Sequence, residues 1–415
     1  MLFRRLLKYT IRDGALRVIE ARGRAYSVGE GEPSCTLRLN EKALDYKLAL
    51  NPALYMAEAY MDGSLTVEQG TLREAMELMA RNFERLQRSP LAAFIPRQLY
   101  PGRWRKQYNP VGKAQRNVAH HYDLSDRLYD LFLDQDRQYS CAYFATPEDD
   151  LDTAQQNKKR HIAAKLLLDR PDLKVLDIGS GWGGLGLYLA QAGDCDVTGV
   201  TLSREQHKIS QHRAAAARLA ERCRFVLKDY REETGTYDRI VSVGMFEHVG
   251  RRNYDEFFLK VRDLLADDGV CLLHSIGRFD QAAPINPFIR KYIFPGADLP
   301  ALSEVMASVE RAGLYATDIE ILRLHYAETL RRWSERFQAN RDRVAALYDA
   351  RFCRMWELYL LICEMGFRYR NLMVFQLQLS KRLETLPLTR DYMTDWERAH
   401  GSQAVGPDQR IRAAR

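Results

Sequence analysis

The chain has 415 residues, 46% of them hydrophobic, with 62 Lys and Arg against 55 Asp and Glu and a net charge of +7. This length suggests two or three domains with real cores, and no window approaches the roughly 18 uninterrupted apolar residues of a membrane span. Seven scattered cysteines with no C-x-x-C pair favour a reduced cytoplasmic chain without structural zinc, while the mild positive charge suits nucleic acid, an anionic membrane or neither.

The first residues lack the long apolar core and small-residue cleavage site of a signal peptide. Leu2, Phe3, Leu6 and Leu7 share one face of a short helix, with Arg4, Arg5 and Lys8 on the other. Such a helix either caps its own domain or touches a membrane. Residues 15–20 and 35–39 alternate like strands. Helices follow from Pro52 to Tyr60 and from Leu72 to Leu86, separated by a turn over residues 61–64. Together these predict a small α+β domain with no evident chemistry.

Residues 85–122 carry eight basic residues, no acidic one, and interleaved Phe94, Tyr100, Trp104 and Tyr108. That mixture suits the headgroup layer of an anionic bilayer, single-stranded nucleic acid, or a solvated linker. The expected domain boundaries are 1–110 for the N-terminal domain with this basic linker and 111–398 for a larger domain. An insertion that walls an apolar pocket is expected at about 278–345, with residues 286–296 apolar, aromatic and irregular, and a disordered tail at 399–415.

A helix at about 153–168 leads into Lys174–Leu185, KVLDIGSGWGGL. The first five residues read as a buried strand. Gly179, Gly181, Gly183 and Gly184 follow at once, then a helix. A glycine turn between a parallel strand and a helix lets a ligand approach bare backbone. G-x-G-x-x-G alone is weak evidence for a dinucleotide. Asp177 stands two residues before the first glycine, as in the loop of S-adenosylmethionine (SAM) methyltransferases. The next strand ends in Thr201 and Ser203 rather than the acid that would hold an NAD ribose. A tight turn with no ligand is the bland alternative.

Strands then recur at 197–200, 224–228, 238–243 and 270–274, with helices after Ser203 and over 254–265. This rhythm predicts an α/β fold with a doubly wound, mostly parallel, Rossmann-like sheet. Ligands sit beyond the C-terminal strand ends of such a sheet, where Asp177, Thr201, Asp229, Glu247 and His274 fall. Residues 326–333 open a helix, 348–365 form another, and 371–379 read as a closing strand.

Residues 138–144 (QYSCAYF), the glycine loop, 244–250 (GMFEHVG) and 272–277 (LLHSIG) occur in unbroken order. With these motifs the chain resembles the cyclopropane-fatty-acyl-phospholipid synthase family, which includes the mycolic acid cyclopropane synthases. The resemblance runs from about Ala114 to Lys381. The N-terminal domain is similar to the extra domain of the phospholipid-acting members.

The resemblance implies a class I SAM methyltransferase that moves the SAM methyl to a cis double bond of a phospholipid acyl chain. The cation left by the alkene then loses a proton to a bound bicarbonate and closes a cyclopropane ring. It implies Cys141, Glu247, His274, Tyr326 and the backbone of Ile276 as holders of bicarbonate, with Cys363 as a further marked cysteine. For SAM it implies Tyr139, Ser140, Asp177, Gly179, Ser180, Gly181, Gly183, Thr201, Leu202, Gln206, Asp229 and Tyr230. Gln206 also sits where a capping box would place it. Tyr143, Phe144, Phe246, Tyr292 and Phe294 are candidates to line a dry pocket and stabilise the cation by their ring faces. The expected partners are unsaturated phospholipid chains and an anionic inner membrane surface approached from the cytoplasm, with no nucleic acid and a homodimer left open. Rival readings are a relative giving a methyl-branched or methylene product, an NAD-linked oxidoreductase, and an idle lipid-binding protein.

Overall fold

The structure is a computed structural model that describes residues 2–87, 124–280, 283 and 285–401. The basic aromatic stretch, apart from its first three residues, and the tail from 402 lie outside the described residues.

Residues 14–69 contribute a four-stranded sheet of order β2-β1-β3-β4, with β1 at Gly14–Ile19, β2 at Ala25–Glu30, β3 at Ser34–Leu39 and β4 at Leu65–Gln69. The alternation in β1 puts Leu16 and Val18 inside, against Phe3, Leu6 and Leu7 of the Leu2–Thr10 helix. β2 and β4 were not anticipated. β2 has an exposed, glycine-containing face with only Tyr26 and Val28 buried, which hides its period. The Leu72–Leu86 helix is broken at Asn82. This buried side chain donates to the carbonyls of Asp13 (2.7 Å) and Leu78 (2.9 Å) and accepts from the amides of Arg12 and Asp13. It therefore competes with continuation of the helix. Thr71 and Glu74 form a reciprocal capping box at the start of that helix.

The second sheet has seven strands in the order β10-β11-β9-β8-β5-β6-β7. They are β5 Lys174–Ile178, β6 Asp196–Thr201, β7 Cys223–Leu227, β8 Tyr237–Val243, β9 Leu265–Arg278, β10 Tyr315–Ile321 and β11 Leu372–Ser380. β7, β6, β5, β8 and β9 are parallel neighbours, and β11 runs antiparallel between β9 and β10. This is the doubly wound, Rossmann-like α/β sheet expected. The order reverses between β5 and β8, which opens a crevice at their C-terminal ends. Two details differ from expectation. β9 runs for 14 residues, well beyond 270–274. Within the expected 278–345 insertion, the helix opening near 326 is present as His325–Ala339, while the Leu302–Ala312 helix and β10 were not anticipated. β10 is an edge strand of mostly partly buried and exposed residues, so its alternation is faint.

The Ala350–Tyr369 helix joins the two parts, packing on the Pro52–Asp62 and Leu72–Arg81 helices. Glu364 in it is fully buried and pairs with Arg73 at 2.7 Å. Tyr60 donates to Glu357 at 2.9 Å, and the Arg354 Nε donates to the Met61 carbonyl at 2.7 Å. Among the described residues no helix is long and apolar enough to cross a membrane.

Candidate active site

The glycine turn leaves β5 at the switch point. Gly179 has φ +85°, and a Cβ there would stand 2.8 Å from Met245 Cβ, so only glycine fits. Its amide and that of Ser180 both donate to the Val200 carbonyl, which locks the turn against β6. The turn, with residues from β6, β7 and β8, encloses a cavity of about 170 Å³. Tyr139, Ser140, Asp177, Gly179, Ser180 and Gly181 line one side, and Thr201, Leu202, Gln206, Asp229 and Tyr230 line the other. Gly183 does not line it. Gly183 is the N-cap of the Gly184–Ala192 helix, at φ +84°, and a Cβ there would strike Phe225 and Ser210.

Asp177 is buried, its Oδ2 has no partner, and burial pushes its pKa up to about 7. Ser180 Oγ is also buried and unpaired. Unpaired polar atoms beside a glycine cradle fit a ligand that carries its own donors and acceptors. Only half of the capping box forms: the Ser203 hydroxyl accepts from the Gln206 amide, but the Ser203 amide donates to Thr201 Oγ1, and Gln206 Oε1 accepts from Thr201 Oγ1 at 3.0 Å. Both oxygens of Asp229 accept from Arg231, at 2.9 and 2.7 Å.

A second cavity of about 910 Å³ abuts the first, and the two share Tyr139, Ser140, Gly244 and His248. All six expected reaction residues line it: Cys141, Glu247, His274, Ile276, Tyr326 and Cys363. Glu247 is buried, its Oε1 accepts the Ile276 amide at 2.6 Å, and its Oε2 has no partner. Burial raises its pKa to about 7. The Ile276 amide, expected to grip an anion, is thus spent on orienting Glu247. Burial holds the His274 ring neutral, with its pKa down at about 3. Gln376 Nε2 lies 3.2 Å from His274 Nδ1, and as donor it leaves the ring proton on Nε2. Burial pushes the Cys141 thiol up, and Cys363 up to about 12, so both are neutral.

Of the five aromatic candidates only Phe294 lines this cavity. Tyr143 stacks between His161 and His325, Phe144 stacks on His325, Phe246 packs against Tyr254 and Phe257, and Tyr292 donates to Glu58. Tyr139, Tyr326 and Phe367 supply further rings, and Phe3 and Phe83 of the N-terminal region two more. The far wall comes from the N-terminal region, through Phe3, Leu7, Met56, Met76, Met79 and Leu86. That region was expected to hold no chemistry, yet it walls this cavity. Sequence reasoning also missed Lys158. This fully buried amine donates to Gln138 Oε1 at 2.6 Å and Ser140 Oγ at 2.8 Å, fixing the loop between the cavities. Its signal was a polar run, QQNKKRH, on a helix buried on nearly every side.

A glycine cradle at the switch point, a hydroxyl-ended neighbouring strand and an adjoining apolar chamber define a SAM-dependent methyltransferase. The chain belongs to the mycolic acid cyclopropane synthetase family, whose description matches residues 111–377. It is 36% identical over 352 residues to a "Probable fatty acid methyltransferase" of Pseudomonas putida, covering 83% of this chain and 86% of that one. It is 42% identical over 264 residues to the cyclopropane-fatty-acyl-phospholipid synthase of Escherichia coli K12, covering 64% and 67%. Among solved structures, mycolic acid cyclopropane synthase CmaA1 complexed with SAH and CTAB superposes with a TM-score of 0.61 at 35% identity, covering 64% of this chain and 97% of that one.

Proposed function

We propose that this protein is a cyclopropane fatty acid synthase acting on unsaturated acyl chains of phospholipids, with bicarbonate assisting ring closure. The observation that carries the reading is the junction of the two cavities at Tyr139, Ser140, Gly244 and His248. A donor seated in the glycine cradle faces an apolar chamber long enough for an acyl chain. The similarity to the Escherichia coli enzyme supports the same substrate class.

When bound, SAM supplies an electrophilic methyl group. Asp177, Ser180, Thr201 and Gln206 would hold it, with Tyr139 and Ser140 at the boundary. With an acyl chain filling it, the largely apolar chamber would keep water from a cationic acyl intermediate. When bound, bicarbonate would supply a weak base. The residues fit a small oxyanion: the neutral His274 ring offers a donor, the Cys141 thiol, now 3.4 Å from the Ala142 carbonyl, could turn to offer another, Tyr326 adds a hydroxyl to the lining, and the unpaired Glu247 Oε2 offers an acceptor. Cys363 lines the same chamber from the Ala350–Tyr369 helix and acts there as wall.

In this reading residues 1–110 form an accessory domain with a basic linker, and 111–398 the catalytic domain. The linker brings the enzyme to the inner face of an anionic membrane, where its substrate lies. The test is incubation with methyl-labelled SAM and vesicles of unsaturated phosphatidylglycerol, followed by chromatographic analysis of the released acyl chains. Label in a cyclopropane chain is expected. Label only in a methyl-branched or methylene chain, or none, would overturn the assignment.

A further inference from the structure

Among the described residues that line the large cavity the only Lys or Arg side chains are Arg278 and Arg370, with Asn371 next to Arg370 in sequence. Arg278 lies on β9, whose side chains alternate, so His274, Ile276 and Arg278 share the face that walls the cavity. Four residues along a strand span about 13 Å. That is the order of distance from a mid-chain double bond to the ester end of its lipid. β9 therefore measures off the chamber from the reacting position to a basic end.

The two arginines there differ. Arg278 is matched by Asp280, Nε at 2.8 Å and Nη2 at 3.0 Å, and Asn371 also donates to Asp280 at 3.0 Å. That pair cancels. Arg370, at the end of the Ala350–Tyr369 helix, has its guanidinium 3.2 Å from the centre of the Phe83 ring. Among the described residues no carboxylate pairs with it. Glu84, the other acid that acts on it besides Asp280, is exposed. Burial and the charge of Arg278 pull the Arg370 pKa down to about 10, the response of a cation without a counterion. A half-buried cation in an apolar chamber is costly unless an anion joins it. A guanidinium fork matches two oxygens of a phosphate.

We infer that the Arg278–Arg370 end of the cavity binds the phosphodiester of the lipid whose acyl chain reaches Glu247 and His274, with Arg370 as the direct contact. This rests on the reading of the chamber as a phospholipid acyl site, and names its headgroup end. The basic end and the β9 spacing together set which carbon of the chain lies at the SAM cradle.

The test uses unreactive lipids, so that binding is read apart from catalysis. Full-length wild type, R370Q and R370K are titrated in detergent micelles with saturated phosphatidylglycerol, saturated diacylglycerol of the same chains, and inorganic phosphate. Wild type is expected to prefer phosphatidylglycerol by tenfold or more. R370Q should lose about tenfold to a hundredfold in phosphatidylglycerol affinity, with diacylglycerol affinity unchanged, and R370K should retain part of the preference. An equal loss for both lipids would make Arg370 mere wall and overturn the inference. So would a wild type with no preference, or inorganic phosphate binding as tightly as the lipid. If wild type shows the preference yet transfers no methyl to unsaturated phosphatidylglycerol, the phosphate site stands and the enzymatic reading fails.

Discussion

Replacing Glu247 by Gln separates catalysis from folding in one side chain. The substitution keeps size and an oxygen to accept the Ile276 amide, which now sits at 2.6 Å from Oε1. What changes is the other position, Oε2, which has no partner in the protein. Gln places an NH₂ donor where the proposed reaction needs an acceptor. Loss of a positioned acid–base group costs about 10²–10⁴-fold in rate. SAM affinity should not move, because Glu247 does not line the smaller cavity. Stability should move the other way. The carboxyl of Glu247 titrates at about 7 in the folded chain instead of 4.5. At low pH the group is protonated in both states and contributes nothing. As pH rises from 4.5 to 7 the unfolded chain ionises first, so folding loses up to about 3 kcal/mol, at about 1.4 kcal/mol per pH step. Gln never ionises, so the variant escapes that loss. Urea unfolding of the lipid-free protein should show wild type and E247Q alike at pH 4 and the variant more stable at pH 8. In parallel, wild-type kcat/KM should rise with pH through about 7, and the residual activity of E247Q should lack that limb. Near-normal turnover, or a variant that is less stable at pH 8, would refute the reasoning.

Gly179→Val should leave the chain folded but abolish SAM binding by equilibrium dialysis, since the added Cβ meets Met245 at 2.8 Å and φ is +85°; full affinity would misplace the cradle. Glu364→Gln should weaken the buried tie to Arg73 at 2.7 Å, costing about 1–3 kcal/mol, and should speed limited proteolysis between the N-terminal region and the rest; an unchanged cleavage pattern would show the tie to be dispensable. Reversing Arg103, Arg105 and Lys106 to Glu should reduce co-sedimentation with anionic vesicles and the activity on them, but not SAM affinity, and the wild-type binding should fall with salt as a Debye length of about 8 Å requires. Equal co-sedimentation of the two proteins at low salt would leave that stretch a linker.

The catalytic half of the fold was legible because buried parallel strands are short apolar runs followed by turn and cap residues, as in 174–185 and at Ser203. The motif order carried the site: six expected reaction residues meet in one chamber, and eleven of twelve expected cradle residues line the other. The exception, Gly183, obeys the same glycine logic but serves the helix start. What escaped depends on the third dimension. No local pattern tells that Phe3 and Met79 face the same chamber as His274, 271 and 195 residues away. Aromatic identity likewise did not say which ring reaches the cavity, so Phe246 went to the core and Tyr292 to Glu58. Lys158 was hidden because a buried amine is legible only through its partners, Gln138 and Ser140. β10 was hidden because an edge strand buries too little to show its period.

The 910 Å³ chamber leaves the protein with a core that is only partly its own. Its walls come from the N-terminal helices, β9 and the Ala350–Tyr369 helix, and apolar walls gain dispersion contacts when a hydrocarbon lies against them. In the proposed reaction an acyl chain would complete the packing, and its occupancy would add about 2.7 kcal/mol of stability at a hundredfold excess over Kd. In the proposed reaction the guest leaves only one carbon larger than it came, so the product fills the space as well as the substrate did. Chemistry then does nothing to eject it. Slow product release, by motion where the N-terminal helices meet the Ala350–Tyr369 helix, is then the expected pacing step, and a burst of product in the first turnover is the measurement that checks it.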